Sequence, residues 1–291
     1  MTEQAGPILI LGGNGFIGSA VVECLSRTRE LVVASRRPAS AATDVIAGLK
    51  YLPLPMDLDD VRHVHELITE LEPSVIVNCA AAVNFHPTAE VMPLWRLNAF
   101  FPSLLAEVSL EFGSHVIQLS GSIVHGSRPA LAAPEIRTSP DSAYGRSKLL
   151  GDEMMIASGA EVTILRLPGV FGRHGPSHLG LNRAIADATS GAPIELVGDG
   201  TARRNYVSSQ QVADIVNHCI DRGPLGVAYV GGEIVTLRTC LEEVAALYDV
   251  PLRVMDGPSG QDSLVECDSR LPMLEGFASS LRRDQETARD K

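Results

Sequence analysis

The run Ile8-Leu9-Ile10-Leu11 ends directly on Gly12-Gly13-Asn14-Gly15-Phe16-Ile17-Gly18, and that junction limits the chain to few architectures. A buried strand must turn at once into a helix. Glycine at 12, 15 and 18 permits the backbone angles of so sharp a turn and removes the Cβ atoms that would keep a ligand away. The helix opening at Phe16 and Ile17 presents unpaired N–H groups and a partial positive charge, which suits a phosphate. The bland alternative is a tight turn with nothing bound. Its position after a strand and before a helix favours a dinucleotide pyrophosphate held at Gly12, Gly15, Phe16, Ile17 and Gly18.

Apolar, β-branched runs alternate with helical patterns along the rest of the chain. Strands are expected at Ile8–Leu11, Leu31–Ala34, Val75–Asn78, Val116–Leu119 and Val162–Leu165. Helices are expected at Phe16–Thr28, near Val61–Leu71, and around Trp95–Phe112 and Ala143–Ser158. The alternation predicts an α/β fold, a Rossmann-type doubly wound parallel sheet covered on both faces. After Gly172 the texture changes to a loop rich in Gly, Pro, His and Ser. Residues 1–172 are therefore read as the dinucleotide-binding domain. Residues 173–291 are read mainly as a smaller C-terminal substrate-binding region, with a strand near 227–230 returning to the main sheet. That region is expected to hold a helix at Asn182–Ser190, a strand at Ile194–Val197, and helices at Ser209–Asp221 and Thr239–Tyr248. The charged end, Leu281–Lys291, is expected to fray.

With 291 residues, 45% of them hydrophobic, the chain can bury a full core. A net charge of −11 argues against general nucleic-acid binding. The N-terminal Met1-Thr2-Glu3-Gln4 has no cationic segment, so no signal peptide is read, and no apolar stretch approaches the roughly 20 residues that span a bilayer. Five scattered cysteines without CxxC spacing make a disulfide frame or metal site unexpected and place the chain in a reducing cytoplasm.

The choice of dinucleotide turns on the end of the second strand. An acidic residue there would bind the free ribose hydroxyl of NAD. This chain has Ser35-Arg36-Arg37 instead, a hydroxyl and two guanidiniums that suit the 2′-phosphate of NADPH. Asp57, before Leu58, follows the third strand; it either accepts from the adenine amino group or caps a helix.

Tyr144-Gly145-Arg146-Ser147-Lys148 carries the second chemical signal. A free tyrosine titrates near pH ~10, so acid–base work near neutrality needs a cation that favours its anion. Lys148 lies one helical turn beyond Tyr144 on the same face, and the pair is expected to give a phenol with a depressed pKa. A hydroxyl donor opposite the phenol is supplied by Ser120-Gly121-Ser122 at the end of a strand.

These residues resemble the extended, nucleotide-sugar branch of the short-chain dehydrogenase/reductase superfamily. The likeness runs from about Ile8 to Tyr248. It includes Asn78-Cys79-Ala80-Ala81, Ser120 to Gly126, Tyr144-x-x-x-Lys148, Leu165 to Gly172, and Gly198-Asp199-Gly200 with Arg203-Arg204-Asn205-Tyr206-Val207. The resemblance implies that Ala80 and Ala81 lie along the cofactor, that Pro168 and Val170 flank the nicotinamide, and that Arg204 reaches a sugar nucleotide's pyrophosphate. It also implies a substrate side lined by Ser120, His125 and Asn182, and a homodimer built on the helices at Trp95–Phe112 and Ala143–Ser158. The chain departs from the pattern in three places. Leu11 stands where the family has Thr, Gly121 stands at the usual catalytic hydroxyl with Ser122 or Ser120 beside it, and Gln210-Gln211 replaces an acidic residue. Ser122 is the preferred hydroxyl.

In the family's sugar 4,6-dehydratases, acidic residues follow the catalytic threonine. Here Ile123 and Val124 follow Ser122, so elimination lacks its acid and base. The chain looks most like the NDP-4-keto-6-deoxyhexose 4-ketoreductases. The alternatives are an NDP-sugar epimerase with retained cofactor, a reductase of a non-sugar carbonyl, and a non-catalytic NADP(H) sensor.

Overall fold

In the computed structural model the described residues are 6–35, 48–53, 61–83, 90–172 and 174–289. The chain runs β1 (Ile8–Leu11), α1 (Phe16–Leu25), β2 (Leu31–Ser35), β3 (Lys50–Pro53), α2 (Val61–Leu71) and β4 (Val75–Asn78). It continues through α3 (Met92–Trp95), a π turn (Arg96–Phe100), α4 (Phe101–Phe112), β5 (His115–Gly121), a 3-10 turn (Ser122–His125) and β6 (Leu131–Ala132). Next come α5 (Ala143–Ser158), β7 (Val162–Leu167), β8 (Val170–Phe171), α6 (Gly180–Thr189), β9 (Ile194–Val197), β10 (Arg203–Arg204) and β11 (Val207–Ser208). The last elements are α7 (Ser209–Arg222), β12 (Gly226–Tyr229), β13 (Val235–Thr236), α8 (Leu237–Tyr248), β14 (Leu252–Met255), β15 (Leu264–Val265) and α9 (Phe277–Arg289).

The chain forms two compact units: Met1–Gly126 with Arg137–Arg166 and Ala213–Ala228, and Ser127–Ile136 with Leu167–Val212 and Tyr229–Lys291. The first unit is organised by a seven-stranded parallel sheet in the order β12-β7-β5-β4-β1-β2-β3. β1 pairs with β2 on one side and β4 on the other, so strand order reverses at β1. In open α/β sheets that reversal opens the crevice where ligands bind, at the carboxyl ends of the strands. Burial on both faces explains why β1 and β4 are apolar throughout, apart from Asn78. Leu9, Leu11, Ile68, Ile76, Phe101, Leu105, Val116 and Ile164 form part of this unit's core.

The helix expected across Trp95–Phe112 is interrupted. Pro102 has no N–H to give the carbonyl of Asn98 four residues earlier, and the backbone widens there into a π turn. The freed Asn98 carbonyl lies against α5 at Gly151, where a Cβ would come within 2.1 Å of it.

The second unit has its own core of Phe171, Leu181, Ile194, Leu196, Leu241, Val244, Phe277 and Leu281. Short strand pairs tie it together: β9 with β14, β8 with β11, β6 with β15 in parallel, and β10 with β13 antiparallel. The expectation of fraying from Leu281 onward is corrected for the described residues of this segment, which are helical to Arg289. Leu281 and Asp284 are buried within α9, whose first turn is anchored by Phe277: its N–H donates to Glu233 at 2.8 Å and its ring packs at a tilt against Phe171, 5.2 Å between centroids. The spacing of Phe277, Leu281 and Asp284 places them on one helical face, which the many charged residues of the segment obscure.

Candidate active site

At the end of β1, Gly12 takes φ +76°, a left-handed conformation that glycine adopts without strain. A Cβ there would lie 2.8 Å from the backbone nitrogen of Ala80, so the turn after β1 and the segment after β4 approach as only glycine allows. Gly18 is needed for a different contact: its Cβ would lie 2.2 Å from the Gly12 carbonyl. Gly15 heads α1 in an extended conformation, and no side chain caps the helix. The uncapped first turn at Phe16, Ile17 and Gly18 therefore offers N–H groups and a positive dipole end at the strand-order reversal, and these residues fit a dinucleotide's pyrophosphate.

The neighbouring segments are pinned by buried amides. Asn78 accepts from the Ala80 N–H at 3.1 Å and donates to Gln118 at 2.7 Å. Asn98, in the π turn, accepts from the Ala82 N–H at 2.9 Å, donates to the Ala82 carbonyl at 2.8 Å and reaches Ser147 on α5 at 3.0 Å. Ala80 is buried and Ala81 exposed. At the end of β2 the Ser35 hydroxyl is buried and accepts from the Asn14 N–H at 3.2 Å, tying this strand to the glycine turn. Arg36, Arg37, Asp57 and Leu58 lie outside the described residues.

The Ser122 turn and the start of α5 are fitted to each other. Ser142 caps α5 by accepting from the Gly145 N–H at 3.0 Å. A Cβ on Gly145 would lie 2.8 Å from the Ile123 carbonyl, so glycine lets the 3-10 turn rest on the helical turn that carries Tyr144. Ser122 is half-buried at the head of that 3-10 turn, and His125 is buried at its end. Lys148 is almost fully buried, and its Nζ donates to the Leu119 carbonyl at 2.6 Å.

One expectation about this pair is corrected. Burial first, and then the negative charge of Asp152, push the Tyr144 phenol up to about 12. Burial lowers Lys148 to about 8, while Asp152 acts in the opposite sense. Sequence reasoning counted one cation beside the phenol and missed the carboxylate two turns further along the same helical face. In the protein the phenol's pKa therefore moves in the direction opposite to the depressed value expected.

Ser120 and Ser122 have different surroundings. The Ser120 hydroxyl is buried and donates to Asp152 Oδ2 at 3.0 Å, and Arg166 Nε donates to the same oxygen at 3.2 Å. Asp152 and Asn98 were not singled out from the sequence. Asp152 was visible as a third polar residue in the series 144, 148, 152, and Asn98 as a polar residue in an apolar helical stretch.

Four expected residues belong to the second unit. Asn182 is buried; it accepts from the Gly172 N–H and donates to the Val170 carbonyl, both at 3.1 Å, and so shapes the segment after β7. Pro168 and Val170 flank Gly169, where a Cβ would meet the Tyr206 ring at 2.7 Å. Arg204 is half-buried, and its Nη1 donates to the carbonyls of Arg203 and Gln261. The other described site residues, Gly12 to Gly18, Ser35, Ala80, Ala81, Ser120, Ser122, His125, Tyr144 and Lys148, belong to the first unit.

A parallel sheet with a glycine turn at its reversal and a Tyr-Lys helix is the framework of a nucleotide-dependent oxidoreductase class. The chain matches the pattern of the NAD dependent epimerase/dehydratase family over residues 8–232 and belongs to that family. It is 33% identical over 196 residues to a Streptomyces antibioticus protein named "Probable dTDP-4,6-dihydroxy-2-methyloxan-3-one 4-ketoreductase". That match spans 66% of this chain and 60% of the relative. It is 26% identical over 337 residues to dTDP-glucose 4,6-dehydratase of Neisseria gonorrhoeae, covering 97% of this chain and 95% of that protein. Among solved structures, MoeE5 in complex with UDP-glucose and NAD shares the fold, with a TM-score of 0.81 at 22% identity over 98% of this chain and 99% of that one.

Proposed function

We propose that the chain is an NADPH-dependent reductase of a keto group on a nucleotide-activated deoxysugar, of the NDP-4-keto-6-deoxyhexose 4-ketoreductase type. The observation that carries this reading is the fitted pair of turns that brings Ser122's 3-10 turn onto the turn of α5 bearing Tyr144. When bound, NADPH supplies a hydride to the carbonyl carbon. Tyr144 Oη gives its proton to the carbonyl oxygen as negative charge develops there. The Ser122 hydroxyl donates to the same oxygen, since the Ser120 hydroxyl is taken up by Asp152. Lys148, as an ammonium, stabilises the tyrosinate left behind and holds the cofactor's ribose.

Several features support the finer points. Ile123 and the buried Val124 follow Ser122, so the acid–base pair of an elimination has no place there. The named 4-ketoreductase relative supports the substrate class. The preference for NADPH rests on Ser35-Arg36-Arg37. Arg204 is the residue for the substrate's diphosphate, with Asn182 and His125 shaping the substrate side. Residues 173–291 supply most of that side. Exposed Leu110 on α4 and Ile156 on α5 support a homodimer through these helices, which light scattering on the eluting protein would register as twice the chain mass. None of the five cysteines is in a disulfide, and among the described residues no helix is long and apolar enough to cross a membrane.

The test is a panel of NDP-4-keto-6-deoxyhexoses offered with NADPH or NADH, read by loss of reduced-nicotinamide absorbance. Turnover with at least one panel member, faster or at lower concentration with NADPH, is expected. Protein that purifies with a tightly held dinucleotide and consumes none in net terms would instead mark an epimerase.

A further inference from the structure

Asp284 is a charged residue only 4% exposed in α9, and no step assigned above uses it. It continues the helical face that carries Phe277 and Leu281. Phe277 packs against Phe171 at the end of β8, and Leu281 belongs to the same core group. Asp284 meets the residue that follows Phe171. A Cβ on Gly172 would lie 2.9 Å from Asp284 Oδ1 and 2.8 Å from the hydroxyl oxygen of Ser209, at the head of α7. Two oxygens from two helices therefore occupy the space that a side chain at 172 would need. Gly172 also takes φ +147°, a conformation that L side chains rarely adopt. The position is held to glycine by its own backbone and by what stands against it.

Gly172 is the pivot of the loop that leads to α6. Its N–H donates to Asn182 Oδ1 at 3.1 Å, and its carbonyl accepts from the Gly175 N–H at 2.9 Å. Asn182 Nδ2 donates back to the Val170 carbonyl at 3.1 Å. Gly175 lies so close to Asn182 that a Cβ there would stand 2.3 Å from the amide carbon. These contacts form one small knot around the Asn182 amide. A shift of the Gly172 backbone is passed on to Asn182 and Val170, the residues read above as shaping the substrate side and flanking the nicotinamide. All of them, with Ser209 and Asp284, belong to the second unit, whereas the glycine turn for the cofactor belongs to the first.

We propose that Asp284 is a positioning residue for the sugar nucleotide: together with Ser209 it fixes the Gly172 turn, and through that turn the loop anchored on Asn182, without touching substrate. The C-terminal helix is then part of substrate recognition. The inference rests on the reading above that this loop lies on the substrate side.

The experiment compares the wild type with three variants of the whole chain. Asp284→Ala empties the space over Gly172, Asp284→Asn keeps its shape, and Ser209→Ala removes the second oxygen while leaving α9 intact. The binding probe is dTDP-glucose, followed by calorimetry; it has no keto group and is not reduced. NADPH affinity is followed by fluorescence, folding by urea denaturation, and KM and kcat with an NDP-4-keto-6-deoxyhexose. Asp284→Ala is expected to weaken dTDP-glucose binding and raise KM by about tenfold, while kcat and NADPH affinity stay within a few-fold of wild type. Ser209→Ala is expected to act in the same direction, which loosening of α9 would not produce. Asp284→Asn is expected to recover most of the loss. Folded Asp284→Ala or Ser209→Ala protein that binds dTDP-glucose as tightly as wild type would overturn the proposal. An Asp284→Asn variant as impaired as Asp284→Ala would overturn its steric basis. Wild-type protein that binds dTDP-glucose but reduces no keto sugar counts against the reductase reading alone, and the binding arm still decides the role of Asp284. Wild-type protein that binds neither dTDP-glucose nor UDP-glucose removes the nucleotide-sugar reading and the proposal with it.

Discussion

Gly12 and Gly18 show how single atoms fix the cofactor turn. Each lacks a Cβ for a different reason, one facing the segment after β4 and the other the turn's own carbonyl. Gly18→Ala forces a methyl to 2.2 Å from the Gly12 oxygen, so we expect a loss of about 1–3 kcal/mol in stability. NADPH affinity should weaken with it. Chemical denaturation and a fluorescence titration check the two effects; a Gly18→Ala variant as stable as wild type would contradict the steric account. The sequence disclosed these glycines because their spacing is local. It did not disclose Asp152's influence on Tyr144, because that influence depends on burial and on Ser120 and Arg166, which strands β5 and β7 bring to the helix. Counting only Lys148 led to the wrong direction for the phenol.

Between α4 and α5 the determining feature is the π turn. Pro102 leaves the Asn98 carbonyl without its helical donor, and the displaced backbone fits only because residue 151 is glycine. Gly151→Ala is expected to cost about 1–3 kcal/mol, read as a lower midpoint in urea. It should also shift the Tyr144 helix enough to lower kcat more than it changes NADPH affinity. Equal kcat in the two proteins would show that α5 tolerates the displacement. Helix and strand positions with strong periodicity were legible: Val61–Leu71, Val75–Asn78, Ala143–Ser158 and Ile194–Val197 stand where the sequence placed them. Two-residue strands such as β6 and β15 were not, since their only signal is each other. α9 was misread because few of its residues are apolar, and their burial depends on partners far away in sequence, Phe171 and Glu233.

At the scale of the molecule, stability against acid has an identifiable contributor. His115, 6% exposed on β5, shares a hydrogen bond of 2.9 Å with Thr163 of β7, and burial holds its pKa down at about 4 against 6.5 in the unfolded chain. The unfolded state therefore binds the extra proton first. The neutral imidazole's full contribution is present above pH 6.5 and is lost as pH falls toward 4, by at most roughly 3 kcal/mol. His115→Gln should flatten the decline of stability across that interval in denaturation series at several pH values; an unchanged slope would remove His115 from the account. The doubly wound sheet was legible from the alternation of apolar runs and amphipathic helices, because a parallel sheet imposes that alternation on its sequence. The return of a strand near 227–230 to the main sheet was legible too, but the crossing of 127–136 into the second unit was not, since its neighbours on both sides belong to the first. The central claim is that Tyr144 gives the proton in a keto-sugar reduction, and Tyr144→Phe tests it most directly, with kcat and NADPH affinity measured side by side. We expect kcat to fall by about two to four orders of magnitude while affinity for NADPH stays within a few-fold of wild type. Near-normal reduction by the Tyr144→Phe variant would contradict the account.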